Sequence, residues 1–258
     1  ADWNYGIRTV NLATGIISTV SNTANTFPVA VTSDAAGNIY FIFSYGNFSG
    51  SGVPRDVLYK LTPGGAAAPL ATLQYCSEGL TIDAGGNLYT ADWCANDIYR
   101  ISSTGTVSIV AGTDSGGFSP DGTLATAAKL GDPADVVLDA AGTVYFTDFS
   151  NFRVRHFQIG GTLTTIAGTN NGLGGPAQDA DIRGNSAALA SDSSGNLYVS
   201  GYKVSPFGVI SEYLGTGGPG FTGDGGLAVD ALASAVTGVA VDVNGNIFIA
   251  DGWNNRIR

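Results

Sequence analysis

An all-β fold of repeated, four-stranded antiparallel units is predicted by three observations. First, a signature of Asp, two further residues, Gly and then usually Asn recurs at Asp34–Asn38, Asp83–Asn87, Asp139–Thr143, Asp192–Asn196 and Asp242–Asn246. Each copy is followed at once by an apolar–aromatic pair: Ile39-Tyr40, Leu88-Tyr89, Val144-Tyr145, Leu197-Tyr198 and Ile247-Phe248. Second, the Asp-to-Asp steps are 49, 56, 53 and 50 residues, a period that signals stacked supersecondary units. Third, no segment sustains the 3.6-residue period of an amphipathic helix. Closed radially, such units make a β-propeller.

The unit around Asp83 shows each element in order. Gly79–Asp83 alternates into a first strand, a. Asp83–Asn87 is a tight turn, where Asp bonds backbone two residues on and Gly supplies a positive φ. Leu88–Ala91 returns as strand b and Asp97–Ile101 follows as c. Ser103–Gly105 turns the chain again, and Thr106–Val110 is strand d. The same frame fits Val136–Ile166 and, less cleanly, Ala30–Leu73. In the fourth unit, c and d blur together over Phe207–Leu214. Ala125–Leu130 and Leu227–Leu232 each suit one short helical turn inside a connection.

The repeats run end to end, so residues 1–258 form one propeller domain in this reading. Residues 5–20 supply strands c and d without a and b, whereas the C-terminus supplies a, b and a stub of c. The expected closing blade is shared between residues 1–22 and 235–258, giving five blades. The overlap at c leaves the alternative of six blades, with the chain an excerpt of a longer run. The chain contains no Met, so the expectation is a processed N-terminus or an excerpt.

Composition narrows the function. Gly supplies 38 of 258 residues, about double the usual share, as a fold made of tight turns requires. With 21 acidic against 11 basic side chains the net charge is −10, which disfavours nucleic acid. No apolar run approaches the length of a membrane span, so no membrane insertion is expected. Cys76 and Cys94 lie nine residues to either side of Gly85. A hairpin in that register sets them opposite each other, making a disulfide feasible. Two unpaired buried thiols are the alternative. With the N-glycosylation triplet Asn47-Phe48-Ser49, the cysteine pair favours an extracellular or cell-surface setting.

The a–b turns are short and uniform, whereas the d–a connections are long and rich in Gly and Asp. The b–c and d–a connections share one face, so that face is the candidate binding surface. Its b–c connections carry Trp3, Tyr45, Trp93, Phe149, Tyr202 and Trp253. These aromatics suit stacking on sugar rings or gripping a protein; the alternative is that they wedge between blades. Asp2, Asp92, Asp148 and Asp251 stand beside them and are expected to bond the backbone of their own turns.

The closing segment Ala250–Arg258, the Ile109–Gly112 and Ile166–Gly168 blade ends and Gly223–Gly226 together resemble NHL repeats across essentially the whole chain. That resemblance implies a β-propeller, commonly six-bladed, in a family that includes binding modules and has lyases and hydrolases among its relatives. His156 is the only histidine, which argues against the amidating-lyase relatives with their several His ligands. Glu78, near the channel mouth, keeps a metal-dependent lactonase or lyase as an alternative. No cofactor, metal or catalytic residue is assigned. The expectation is a non-catalytic extracellular module that binds protein or glycan, alone or as part of a larger assembly; a repeat segment of a surface fibre or adhesin is a further alternative.

Overall fold

The computed structural model describes residues 6–10, 14, 16–21, 27–44, 56–74, 76–168, 188–199, 201–215 and 220–258. Blade 1 contains β3 (Phe27–Ser33), β4 (Ile39–Ser44), β5 (Val57–Leu61) and β6 (Ala67–Thr72). Blade 2 contains β7 (Ser77–Ile82), β8 (Leu88–Asp92), β9 (Asp97–Ile101) and β10 (Val107–Gly112). Blade 3 contains β11 (Pro133–Leu138), β12 (Val144–Asp148), β13 (Arg153–Phe157) and β14 (Thr164–Ala167). Blade 4 contains β15 (Leu189–Ser191), β16 (Leu197–Val199), β17 (Tyr202–Val204) and β18 (Ile210–Glu212). Blade 5 contains β19 (Val236–Val241), β20 (Ile247–Asp251) and β21 (Arg256–Ile257).

Every neighbouring pair within these blades is antiparallel and consecutive in sequence. The molecule is therefore an all-β propeller of five blades, as expected. An N-terminal hairpin, β1 (Ile7–Val10) and β2 (Ile17–Ser21), forms a separate two-stranded sheet. It packs Ile7 against Phe41 and Phe43 of blade 1. Arg8 pairs with Thr19 in this hairpin as Arg155 pairs with Thr165 in blade 3, so β1 and β2 carry the c and d registers.

The hairpin signature works as the sequence implies. In blade 2, Asp83 Oδ1 accepts the Asn87 backbone N–H at 2.8 Å, and Asp83 Oδ2 accepts from the Asn87 amide at 2.8 Å and the Tyr89 hydroxyl at 3.1 Å. Gly86, at φ 79°, takes the left-handed backbone that an L side chain rarely adopts. Tyr40, Tyr145 and Tyr198 donate in the same way to Asp34, Asp139 and Asp192. Burial alone would raise the Asp83, Asp139 and Asp192 carboxyls, but the hydrogen bonds outweigh it and hold all three below the usual range.

The core is distributed between blades, because a blade strand is covered on both faces. In β8 and β9 the alternate residues divide: Leu88, Tyr99 and Ile101 face blade 1, while Tyr89, Ala91 and Ile98 face blade 3. The c and d strands that the sequence blurs in the fourth unit are distinct: β17 and β18 have three residues each, and the turn Ser205–Gly208 separates them. The two expected helical turns are present as single 3-10 turns, Ala125–Ala127 and Ala228–Asp230.

Candidate functional site

The b–c and d–a connections meet on one face, and two of the long connections share a single construction. In blade 3, Asp148 is fully buried; its Oδ1 accepts the Gly131 backbone N–H at 2.6 Å and the Asn151 amide at 2.9 Å. The Asn151 amide also donates to Gly117 O at 2.8 Å. Arg155, also fully buried, donates to Ser119 O at 2.9 Å and Asp121 Oδ1 at 3.0 Å, with Asp148 Oδ2 at 3.4 Å. Arg153 and Arg155 lie over the Phe118 ring at 4.5 and 5.4 Å.

Blade 5 repeats this arrangement. Asp251 Oδ1 accepts from the Ser234 backbone N–H at 2.7 Å and the Asn254 amide at 2.9 Å. The Asn254 amide donates to Gly220 O at 2.7 Å, and Arg258 reaches Thr222 O at 2.9 Å and Asp224 Oδ1 at 2.7 Å. Arg256 and Arg258 cover Phe221 at 3.6 and 4.9 Å. The literal signal is the pair Gly117-Phe-Ser-Pro-Asp-Gly122 and Gly220-Phe-Thr-Gly-Asp-Gly225, which sequence reasoning missed. These connections are pinned segments, not freely variable loops.

That anchoring alters the expected roles of the aspartates. Asp92 Oδ1 accepts from Cys94 and Ala95 within its own turn at 3.0 and 2.9 Å, as expected. Asp148 and Asp251 instead reach back to the d–a connection, because the two connections run side by side. The Asp121 carboxyl would be raised by burial, but Thr165 and Arg155 donate to it and bring it below the usual range.

Three of the candidate aromatics are exposed on this scaffold, though not at one common position. Trp93 is 39% exposed, Phe149 41% and Trp253 70%, too open for rings wedged between blades. Trp93 and Phe149 directly follow their anchoring Asp. Trp253 stands one residue later, where blade 3 has Ser150: both backbone N–H groups donate to the preceding connection, Ser150 to Gly131 and Trp253 to Ser234. Tyr202 is the first residue of β17, pairs with Val199 and packs against the core, so it is not a connection residue. Gly201 leaves blade 4 no anchoring Asp and shortens its b–c link. Trp3, Tyr45, Asn47 and Asp2 lie outside the described residues.

Cys76 and Cys94 form a disulfide with Cα atoms 5.7 Å apart. A register shift between Glu78 and Thr81 moves the hairpin by one residue, so the Trp93 backbone N–H donates to Cys76 O at 3.4 Å and the bridge runs diagonally. The bridge fastens the start of the inner strand β7 to the turn that displays Trp93.

Two acids occupy neighbouring inner strands, Glu78 on β7 and Asp135 on β11. Asp135 Oδ2 accepts the Leu189 backbone N–H at 2.8 Å, tying blade 3 to blade 4. A Cβ on Gly79 would fall 2.3 Å from Asp135 Oδ1, so glycine makes the room for this carboxyl. Burial pushes Asp135 up to about 7, against the backbone bonds from Leu189 and Val136, and the Glu78 charge adds to the rise. Partial desolvation by the surrounding strands also raises Glu78, although its side chain keeps contact with solvent. A carboxyl raised on folding contributes stability below its unfolded value of about 3.9, and that contribution is lost as pH rises through about 7. Thermal midpoints of Asp135→Asn should therefore vary less than wild type between about pH 5 and 7. Parallel profiles would show that Asp135 titrates normally. Among the described residues, no group of three or more His, Cys, Asp or Glu is arranged to hold a metal, and no helix is long and apolar enough to cross a membrane.

Comparison with known proteins agrees with this architecture. Residues 236–258 match the NHL repeat family model. No curated protein sequence matches. Among solved structures, an auxiliary nutrient binding protein from Bacteroides thetaiotaomicron superposes with TM-score 0.66 at 14% identity, covering 97% of this chain and 62% of that one. Virginiamycin B lyase from Staphylococcus aureus gives TM-score 0.55 at 14% identity over 92% of this chain and 67% of that one. A nidogen/laminin complex gives TM-score 0.61 at 15% identity over 93% and 78%. At these identities the likeness concerns the fold. This chain spans less than two thirds of the nutrient binding protein's length.

Proposed function

We propose that this chain is a non-catalytic extracellular binding or assembly module whose long-loop face engages a protein or a glycan. The observation that carries the reading is the display of Trp93, Phe149 and Trp253 from connections that buried aspartates anchor. Rigid, half-exposed aromatics lose little side-chain entropy on binding and present flat faces to sugar rings or protein anchors. Trp3 and Tyr45 extend this surface in the proposal, and Asn47, two residues after Tyr45 in the sequence, is a proposed glycosylation site. The disulfide supports an oxidising compartment. The nutrient-binding and laminin-complex propellers support a binding role for such a scaffold.

Glycan arrays and pull-downs test the proposal, with wild type compared against a Trp93→Ala, Trp253→Ala double variant. Loss of a binding anchor should weaken capture by roughly thirtyfold or more, with the thermal midpoint unchanged. Undiminished capture by the double variant, or no partner on either screen, would overturn the reading.

A second reading rests on the placement of Glu78 and Asp135 on neighbouring inner strands: a metal-dependent lactonase or lyase centred on the channel, with further ligands needed beyond this pair. Its expected result is a bound divalent ion in purified protein, lost in Glu78→Gln.

A further inference from the structure

The seams between consecutive blades are packed alike, but the ring is not closed. Inner strands β3, β7, β11, β15 and β19 each lie against the next, whereas β19 and β3 make no comparable contact. The blade faces on either side of this opening are uncovered. On blade 5, Phe248 is 48% and Ile257 72% exposed. Phe248 faces Ala240 as Tyr89 faces Thr81, and Ile257 faces Ala250 as Ile98 faces Ala91. Tyr89 and Ile98 are buried against blade 3, so Phe248 and Ile257 stand where a following blade would cover them. On blade 1, Val31 pairs with Phe41 as Val136 pairs with Phe146. Val136 is buried against blade 2, yet Val31 is 43% exposed.

The N-terminal hairpin covers only part of the blade 1 flank, through Ile7 on Phe41 and Phe43. Among the described residues β1 pairs with β2 alone. In each complete blade the corresponding strand c pairs on its other edge with strand b. Arg8 of β1 holds the register of Arg155. Arg155 meets Asp148, the last residue of its strand b, and Arg258 meets Asp251 in the same way.

We propose that this opening is a docking site for a β-hairpin of a partner protein, an a–b strand pair joined by the Asp-x-x-Gly-Asn turn. An available strand edge between two apolar faces selects an extended backbone, because only a strand supplies the ladder hydrogen bonds that the edge offers. Both faces of the guest must be apolar, one toward Val31 and one toward Phe248 and Ile257, as for a strand covered on both sides. The register places an Asp at the end of its second strand within reach of Arg8, a charge-assisted contact that fixes orientation. The turn holds its own hydrogen bonds, so such a hairpin arrives partly ordered and loses less entropy on docking. The site is separate from the long-loop face, so the two proposals fail independently.

The probe is a fluorescein-labelled peptide of residues 133–148, the a–b pair whose native partner strand carries Arg155. Titration with the intact protein should give a saturable rise in anisotropy, and a scrambled peptide should give none. The same peptide with Asp148→Lys should bind about tenfold more weakly, since it sets like charges together at Arg8. In the protein, Val31→Asp and Phe248→Asp alter exposed positions that the fold does not need. Each should weaken binding by about tenfold or more with the thermal midpoint unchanged. The Trp93→Ala, Trp253→Ala double variant should bind the peptide as wild type does; loss there would put the peptide on the long-loop face and overturn the proposal. Self-association of the protein alone in sedimentation, abolished by Val31→Asp, would put a second copy in the opening and also overturn it. So would the absence of saturable binding, equal binding of the scrambled peptide, or binding unchanged in both aspartate variants.

Discussion

Replacing Arg155 with Ala should destabilise the protein by about 3–5 kcal/mol, a fall of roughly 6–20 °C in the thermal midpoint. Arg155 and Asp148 are both fully buried, and the guanidinium also holds Asp121 and the Ser119 carbonyl. Without Arg155, Asp148 is left as a buried charge with no opposite partner, and Phe118 loses one of the two cations over its ring. Adding Asp148→Asn should recover part of the loss, because it removes the uncompensated charge. The same substitution at Arg258 should cost less, because its side chain is 12% exposed and Asp224 is 68% exposed, so water replaces part of what is lost, although Arg258 too faces a fully buried carboxyl, Asp251, at 3.4 Å. Equal effects at the two sites would contradict the assignment of the blade 3 network as a buried anchor.

Removing the disulfide by Cys76→Ala, Cys94→Ala should lower stability by about 3 kcal/mol, from the entropy of closing a loop across an 18-residue separation. Urea midpoints measured with and without reductant check this. Wild type should fall on reduction to the value of the double variant, and the variant should not respond. Two reactive thiols in denatured, unreduced wild type would contradict the bridge. Because the bridge ties β7 to the Trp93 turn, its loss should also weaken any binding that depends on Trp93.

What was legible in the sequence follows from the range of the interactions. The Asp-x-x-Gly-Asn turn contains its own hydrogen bonds, so five hairpins and their phase could be read directly. The cysteine pairing was legible because a hairpin register extends from its turn; the one-residue offset was not, since it comes from an irregularity between Glu78 and Thr81. The construction of the long connections was hidden because its contacts span 34 residues, from Asn151 to Gly117 and from Arg155 to Asp121. Only the repeated Gly-Phe-x-x-Asp-Gly phrase could have exposed it. The aromatic phase was legible for Trp93 and Phe149, which follow an Asp. It was legible also at Trp253, one residue further on in its connection, and failed at Tyr202, where Gly201 stands in the place of that Asp and the short link makes the aromatic a strand residue.

The central claim is that the tryptophans are displayed for binding rather than packed between blades. Acrylamide quenching of Trp93 and Trp253 fluorescence in a Trp3→Phe variant tests it most directly. The account predicts red-shifted emission that is readily quenched while the protein is folded, and little further gain in quenching on denaturation. Blue-shifted emission that acrylamide reaches only after unfolding would place both rings in the interior and contradict it.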